Sequence, residues 1–281
     1  MRGPQALHVL LTNDDGHQAP GIRALSRILK QAGYRVSMVA PRSEQSATGM
    51  GVTSRRHLAL EQFEESGWHL DGQPADTILV ALRHLLESNP PDLVISGINF
   101  GPNLGQGLHM SGTIGAAMMA AQMGVPAIAI SAGMLFSEVD HSPLRFPSTY
   151  EVFEPAAEFA CTVVESLSSS RAPNEPLLPS NMLLNINYPA LPSDKIKGVL
   201  HPEVSGGKII GLDFDLCNKT GNMIPRFYAG VDPSQPHKED GDVRAHLEGY
   251  ITISAVRPNW NPPANQVEAL RKRLKGLAAG N

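Results

Sequence analysis

Short apolar runs alternate with amphipathic segments along the first half of the chain. Residues 7–12 form an almost uninterrupted aliphatic run, which is typical of a central parallel strand buried on both faces. Residues 20–30 then repeat apolar positions at helical spacing, and residues 35–40 form a second apolar run. The order strand, helix, strand predicts a parallel βαβ unit.

The same alternation continues to about residue 170. It predicts short strands within 52–70, a helix over 74–86, a strand over 92–96, a long glycine-rich loop over 97–107, a helix over 112–123, a strand over 127–131 and a helix over 150–167. A connector rich in Ser and Pro follows over 168–180. We therefore predict an α/β fold with a Rossmann-like, doubly wound and mainly parallel sheet.

The periodicity weakens after residue 181. Strand-like runs over 183–186, 208–214 and 250–256 are separated by polar loops. This change predicts a smaller C-terminal α+β appendage. We therefore divide the chain into a Rossmann-like core at 1–180 and a C-terminal extension at 181–281 that ends in a helix.

Composition and charge narrow the possible functions. The chain carries 23 Lys and Arg against 27 Asp and Glu, and its net charge of -4 argues against binding of nucleic-acid polymers. A basic cluster over 271–275 lies near the end of a predicted terminal helix, where cations complement the helix dipole. No stretch approaches the roughly 20 consecutive apolar residues that cross a bilayer.

The cysteines and the N-terminus indicate a cellular compartment. Cys161 and Cys217 are far apart and form no CxxC pair, so neither a zinc site nor a disulfide framework is indicated. The N-terminus lacks the long apolar segment and cleavage site of a secretion signal, since residues 7–11 already belong to the first strand. We therefore expect a soluble, cytoplasmic protein with reduced thiols and no membrane partner.

Three polar loops follow predicted strands, and the carboxyl ends of parallel strands meet at one edge of a sheet. The first loop carries Asp14 and Asp15, the second carries Ser46, and the third carries Asn99 and Asn103. Adjacent carboxylates repel each other unless a proton or a metal ion compensates them, and oxygen ligands favour hard ions such as Mg²⁺ or Mn²⁺. Asp-Asp-Gly is also an ordinary turn sequence, so both interpretations are open at this point.

A further candidate site is the sequence Ser111-Gly112-Thr113 at the predicted start of a helix. Free backbone N–H groups and the positive end of the helix dipole bind phosphate at such a position. A serine N-cap is the more common reason for Ser111. Beside a carboxylate pair, however, this helix start favours phosphate-ester hydrolysis. A dinucleotide site is a weaker interpretation because no GxGxxG follows the first strand.

Five sequence motifs occur in order along the chain. They are Thr12-Asn13-Asp14-Asp15-Gly16 with Ala19-Pro20-Gly21, Val39-Ala40-Pro41 with Ser46, Gly72-Gln73-Pro74-Ala75-Asp76-Thr77, Ser96-Gly97-Ile98-Asn99 with Gly101-Pro102-Asn103-Leu104-Gly105, and Ser111-Gly112-Thr113. Weaker similarity continues over 185–189 and 242–252. Together these motifs resemble the SurE survival-protein family of metal-dependent nucleoside monophosphate phosphatases.

The resemblance implies hydrolysis of nucleoside 5'-monophosphates, and also of 3'-monophosphates and short polyphosphate. One divalent cation per subunit, Mg²⁺ or Mn²⁺, is implied as the cofactor, with Asp14 and Asp15 as the catalytic residues. The implied metal ligands all offer oxygen, and they are Asp14, Asp15, Ser46 and Asn99. The implied phosphate contacts are Asn103, Ser111, Gly112 and Thr113. The resemblance also implies a homodimer or homotetramer whose C-terminal arms exchange between subunits.

Three positions depart from the family pattern. Met110 stands in place of an aromatic residue, Met119 in place of an acidic one, and Gln106 where an acidic residue is common. None of them removes an implied metal ligand, so we interpret the chain as an enzyme. The departures motivate one alternative, a nucleotide-binding regulatory module with little turnover. A second alternative is a phosphatase in which Asp14 is the nucleophile and becomes phosphorylated during the reaction. In such enzymes one residue usually separates the nucleophile from the acid, so the adjacent Asp14 and Asp15 do not fit this mechanism.

Overall fold

Eleven strands and six α-helices make up the part of the chain that the computed structural model describes, namely residues 7–138, 146–172, 175–207, 210–217, 221–229, 241–257 and 264–274. The strands are β1 (His8–Thr12), β2 (Arg35–Pro41), β3 (Leu60–Glu64), β4 (Gly67–Leu70), β5 (Leu93–Phe100), β6 (Ala127–Ala132), β7 (Leu183–Tyr188), β8 (Val199–Leu200), β9 (Ile210–Leu216), β10 (Met223–Ala229) and β11 (Ile251–Val256). The helices are α1 (Pro20–Gln31), α2 (Pro74–Val80), α3 (Gly112–Gln122), α4 (Pro147–Ser170), α5 (Asp242–Leu247) and α6 (Ala264–Arg273). A π-helical turn, Ala81–Leu85, continues α2, and 3₁₀ turns occur at Gly105–His109, Phe136–Glu138 and Ser193–Lys195.

Nine of these strands form one sheet in the order β3-β4-β2-β1-β5-β6-β7-β11-β8. All neighbours from β4 to β7 run parallel, whereas β3 and β11 run antiparallel to β4 and β7. The chain builds outward from β1 to β2 and β4 on one side, and then from β5 to β6 and β7 on the other. The order therefore reverses between β1 and β5, which is where ligands bind in doubly wound sheets. The predicted fold class is confirmed.

The two faces of the sheet are covered by different helices, as the uninterrupted run of β1 predicts. Val9 and Leu11 pack with Ile22 of α1 in a buried cluster that also includes α4. Leu10 faces the opposite side and packs in a cluster with Ile114 of α3. The alternation of a strand's side chains thus supplies both layers of the core. Within the described ranges, none of the helices combines the length and apolar character needed to cross a bilayer.

The predicted loop over 97–107 begins too early. Strand β5 continues to Phe100, with an irregularity in its pairing to β6 between Ser96 and Asn99. Gly97 permits this irregularity, because its φ of +136° is strained for other residues and a Cβ there would overlap the carbonyl oxygen of Ile130. The glycine therefore marks a close approach of two strands and not the end of one.

The segment after residue 181 contributes strands to both sheets. Strands β7, β11 and β8 extend the main sheet, and only β9 and β10 form the separate small sheet at the C-terminal side. The apolar pattern of β7 is weak because Asn185 and Asn187 are buried in it. The main sheet therefore extends beyond residue 180. The division into a core and an oligomerisation extension stays a prediction.

Candidate metal and phosphate site

The turn after β1 carries both carboxylates. The side-chain amide of Asn13, which is fully buried, donates to the carbonyl oxygen of Gly16 at 2.9 Å. Gly16 has a φ of +96°, in the region that favours glycine. The turn and the site are thus compatible interpretations, because this turn places Asp14 and Asp15 at the carboxyl end of β1.

Asp14 lies against the start of α3. The Thr113 hydroxyl donates to Oδ1 of Asp14 at 2.6 Å, and Asp14 is only 3% exposed. A Cβ on Gly112 would lie 2.9 Å from the Cβ of Asp14, so this approach depends on glycine. The hydroxyl of Thr113 therefore orients a carboxylate, while its predicted contact with phosphate stays a prediction.

Asp15 contacts the end of β5, directly after Asn99, at the reversal point between β1 and β5. The backbone N–H of Phe100 donates to Oδ2 of Asp15 at 3.1 Å. The preceding residue, Asn99, donates from its side-chain nitrogen to the carbonyl oxygen of Gly101 at 2.7 Å. Since the nitrogen is committed in this way, the amide oxygen of Asn99 is the end suited to a cation.

The loop after β2 reaches the same place and carries Ser46. The backbone N–H of Gln45 donates to the carbonyl oxygen of Asp14 at 2.7 Å, and that of Gly49 donates to the carbonyl oxygen of Met110 at 2.9 Å. Ser46 is exposed between these two anchors. Its loop is thus fastened both to the carboxylate turn and to the segment before α3.

Ser111 is the N-cap of α3. Its Oγ accepts a hydrogen bond from the backbone N–H of Ile114 at 3.1 Å. The structural interpretation of Ser111 as a cap is therefore confirmed. Its predicted contact with phosphate stays a prediction, as does that of Gly112 in the first turn.

Asn103 is held by a buried amide network that the sequence reasoning missed. Its backbone N–H donates to Oδ1 of Asn187 at 2.8 Å, and its carbonyl oxygen accepts from Nδ2 of Asn185 and of Asn187 at 2.9 and 3.0 Å. Its own Nδ2 donates to the hydroxyl of Ser131 at 2.9 Å. Two asparagines spaced by two on a strand share one face, which is the signal available in the sequence.

A second missed residue, Asp242, holds the far end of the same loop. This carboxylate is fully buried at the start of α5. It accepts backbone hydrogen bonds from Gly105 at 3.0 Å and from Ser205 and Val243 at 2.9 Å each. Bonds from N–H groups to a carboxylate are among the stronger hydrogen bonds in proteins. Residues after position 181 therefore help to build the candidate site.

The electrostatics of the carboxylate pair are unfavourable in the absence of a cation. Burial raises the pKa of Asp14 to about 6, although hydrogen bonds from the Thr113 hydroxyl and backbone lower it in part. Burial and the neighbouring Asp14 charge raise the pKa of Asp15 well above its usual range. Among the described residues, no group of three or more His, Cys, Asp or Glu side chains is placed to hold a metal. A cation here would therefore need the oxygens of Ser46 and Asn99 as well.

Fold and site together define an α/β protein of Rossmann-like topology with a carboxylate pair at the reversal point of its sheet. The particular family follows from a comparison with known families. The family described as survival protein SurE matches residues 9–207. The chain belongs to this family, as its motifs predicted.

Several curated proteins named 5'-nucleotidase SurE are similar to this chain. The one from Crocosphaera subtropica is 38% identical over 193 residues, which are 66% of this chain and 63% of that protein. The one from Desulfitobacterium hafniense is 46% identical over 140 residues, which are 49% of this chain and 55% of that protein. The chain thus spans about half to two thirds of the length of the curated relatives it matches.

A solved structure supports the fold over a larger share of the chain. The SurE protein from Aquifex aeolicus is 29% identical, with a TM-score of 0.75. The similarity covers 95% of this chain and 99% of that one. The likeness therefore extends beyond the segment that the family match covers.

Replacing Asp14 tests whether the carboxylate pair Asp14 and Asp15 destabilises the folded protein when no cation is bound. Its raised pKa means that the folded protein loses stability as the pH rises from about 4 to about 6, where the carboxyl charges while buried. At pH 7 with a chelator present, we expect Asp14→Asn to be more stable than the unmodified chain by about 1–3 kcal/mol. Asparagine keeps an oxygen for the Thr113 hydroxyl. Urea unfolding at pH 4 and at pH 7 measures the difference.

The control for this comparison is Asp194→Asn, at an aspartate whose side chain is 73% exposed. Its stability should follow that of the unmodified chain at both pH values. A chelated Asp14→Asn protein that is less stable than the unmodified chain at pH 7 would contradict this account of the pair.

Proposed function

We propose that this chain is a metal-dependent phosphomonoester hydrolase that converts nucleoside 5'-monophosphates to nucleoside and phosphate. The observation that carries the proposal is the convergence of Asp14, Asp15 and Asn99 with the N-terminus of α3 at the reversal point of the sheet. Membership of the SurE family and relatives named 5'-nucleotidase SurE support the substrate class. Activity on 3'-monophosphates and short polyphosphate, and a cytoplasmic location, belong to the same proposal.

The proposed cofactor is one divalent cation, Mg²⁺ or Mn²⁺. The residues that would hold it are oxygen donors, namely Asp14, Asp15, Ser46 and Asn99. They fit such an ion because Asp14 is only 3% exposed and the adjacent Asp15 is partly buried. The side-chain nitrogen of Asn99 already donates to Gly101, which leaves its amide oxygen for a cation. When bound, a hard cation polarises phosphoryl oxygens and lowers the pKa of water.

The residues of the chain supply the remaining parts of the reaction. Water adds its oxygen to phosphorus, the bond from phosphorus to the ribose oxygen breaks, and that oxygen leaves with a proton. One carboxylate of the pair Asp14 and Asp15 accepts a proton from the attacking water. The N-terminus of α3, through Gly112, and the side chain of Asn103 stabilise the charge on the phosphoryl oxygens.

The rigid support of Asn103 favours this role. Its backbone is fixed on both sides by Asn185 and Asn187, while Asp242 fixes the loop two residues later. Stabilisation of a transition state is most effective when the donors are already in place and need no reorganisation. The amides of β7 thus act as positioning residues for the proposed phosphate contact.

Phosphate release from adenosine 5'-monophosphate tests the proposed function. We expect a chelator to abolish the activity and Mn²⁺ or Mg²⁺ to restore it. Asp15→Asn should lower kcat by about 10² or more, because it removes a charge on which the site depends. Asp194→Asn serves again as the control. Undiminished turnover after exhaustive chelation would refute the metal-dependent scheme, and nucleotide binding with no phosphate release would favour the regulatory module.

Thr113 tests the support of Asp14. Thr113→Val removes the hydroxyl that donates to Asp14 and keeps the shape of the side chain. Because partners of metal ligands typically contribute about 10- to 100-fold to metal affinity or activity, we expect kcat/KM to fall by at least about tenfold. Thr113→Ser retains the hydroxyl and should recover most of the loss. Equal kinetics for the Val and Ser variants would show that the hydrogen bond is unimportant.

We further propose that the small β9–β10 sheet contacts a second subunit, as expected for a homodimer or homotetramer. Four large apolar side chains of this sheet are at least half exposed, and they are Phe214, Leu216, Met223 and Ile224. Exposed apolar patches of this kind mark contact surfaces. Light scattering should show a smaller assembly for Leu216→Lys combined with Ile224→Lys, but not for Leu60→Lys on β3. An unchanged mass would contradict this interface.

A further inference from the structure

The proposed reaction does not use a cleft that lies beside the candidate site. Its volume is about 480 Å³, which is within the range of small-molecule sites. Its lining residues carry positive charge, a hydroxyl or an amide, and they are Gln45, Thr53, Ser54, Arg55, Arg56 and Gln73. Neither a carboxylate nor an aromatic ring is among these six. Such a lining suits an anion better than a nucleobase, because a nucleobase binds by stacking on an aromatic side chain.

Two of the lining residues connect the cleft to the candidate site. The backbone N–H of Gln45 donates to the carbonyl oxygen of Asp14 at 2.7 Å. Gln73 precedes Pro74, whose Cγ would lie 3.0 Å from a Cβ placed on Gly112. The cleft therefore lies between the loop after β2 and the start of α2, next to the carboxylate turn and the start of α3.

Neighbouring carboxylates hold the wall of the cleft in place. Asp71 forms an ion pair with Arg56 at 2.9 Å. The buried Asp76 accepts a hydrogen bond from the backbone N–H of Thr53 at 2.9 Å. Arg55 differs, since it is exposed and no ion pair of its guanidinium is found within the described ranges. Within the part of the chain that the structure describes, one positive charge on this wall therefore has no carboxylate partner.

We propose that the cleft binds a second phosphate group of a nucleotide while the first occupies the candidate site, so that nucleoside bisphosphates are preferred substrates. This proposal rests on the proposed phosphatase function. A phosphate accepts charge-assisted hydrogen bonds from guanidinium groups and further ones from hydroxyls and amides, whereas an uncharged ribose offers Arg55 no charge-assisted bond. The reaction is unchanged: water cleaves one phosphomonoester, and the nucleoside keeps the other phosphate.

The ratio of kcat/KM for adenosine 3',5'-bisphosphate to that for adenosine 5'-monophosphate tests the proposal. We expect this ratio to be about tenfold or more in the unmodified chain and to fall by about tenfold in Arg55→Gln, the effect of losing one charged contact. Arg55→Lys should recover part of the ratio. The control is Arg83→Gln, at an exposed arginine in the π-helical turn after α2, which should leave the ratio unchanged.

Three outcomes would overturn the proposal. One is a ratio that Arg55→Gln leaves unaltered, and another is an equal loss for both substrates, which would assign Arg55 to the cleaved phosphate. The third is inhibition by inorganic pyrophosphate that depends on Arg55, combined with no preference for the bisphosphate. This result would mean that the cleft binds the second phosphate of a phosphoanhydride and not a phosphate attached to ribose.

Direct binding separates this proposal from the proposed function. If neither nucleotide is hydrolysed, the phosphatase proposal fails, and calorimetric titration with adenosine 3',5'-bisphosphate still tests the cleft. An Arg55→Gln protein that binds the bisphosphate about tenfold more weakly than the unmodified chain supports the cleft. Equal affinity refutes it.

Discussion

Two like charges placed side by side, largely out of water, are the constraint on which the rest of the structure depends. Asp14 and Asp15 follow β1, one of the two strands between which the strand order reverses and the neighbouring loops diverge. Burial raises the pKa values of both groups. A folded protein retains such a pair only where something compensates its charge, and function is the usual reason for tolerating the cost.

The surrounding elements are arranged around this pair. The start of α3 brings the hydroxyl of Thr113 and the positive end of a helix dipole to Asp14. The end of β5 brings the backbone N–H of Phe100 to Asp15, and Asn99 directly precedes this contact in the chain. Further out, the amides of β7 and the carboxylate of Asp242 fix the loop of Asn103. Segments that are far apart in the sequence thus position the side chains of the candidate site.

The local hydrophobic pattern of the sequence predicted those strands and helices that pack through a regular apolar face. The aliphatic run of β1 and the helical spacing of α1 give both elements within a residue or two of their observed bounds. The last residues of β5 and of β7 were not predictable in this way, because Gly97 and Asn187 break the apolar pattern and make distant contacts instead. Asn103 and Asn187 are 84 positions apart, and Thr113 and Asp14 are 99 apart. Family motifs located the candidate residues, but only the fold could show that Thr113 supports a carboxylate.

The most direct test is a crystal structure of the protein grown with Mn²⁺ and phosphate, in which anomalous scattering locates the manganese. We expect one manganese ion bound by Asp14, Asp15, Ser46 and Asn99, with phosphate at the start of α3 beside Asn103. Manganese bound elsewhere, or none at this carboxylate pair at saturating concentration, would contradict it.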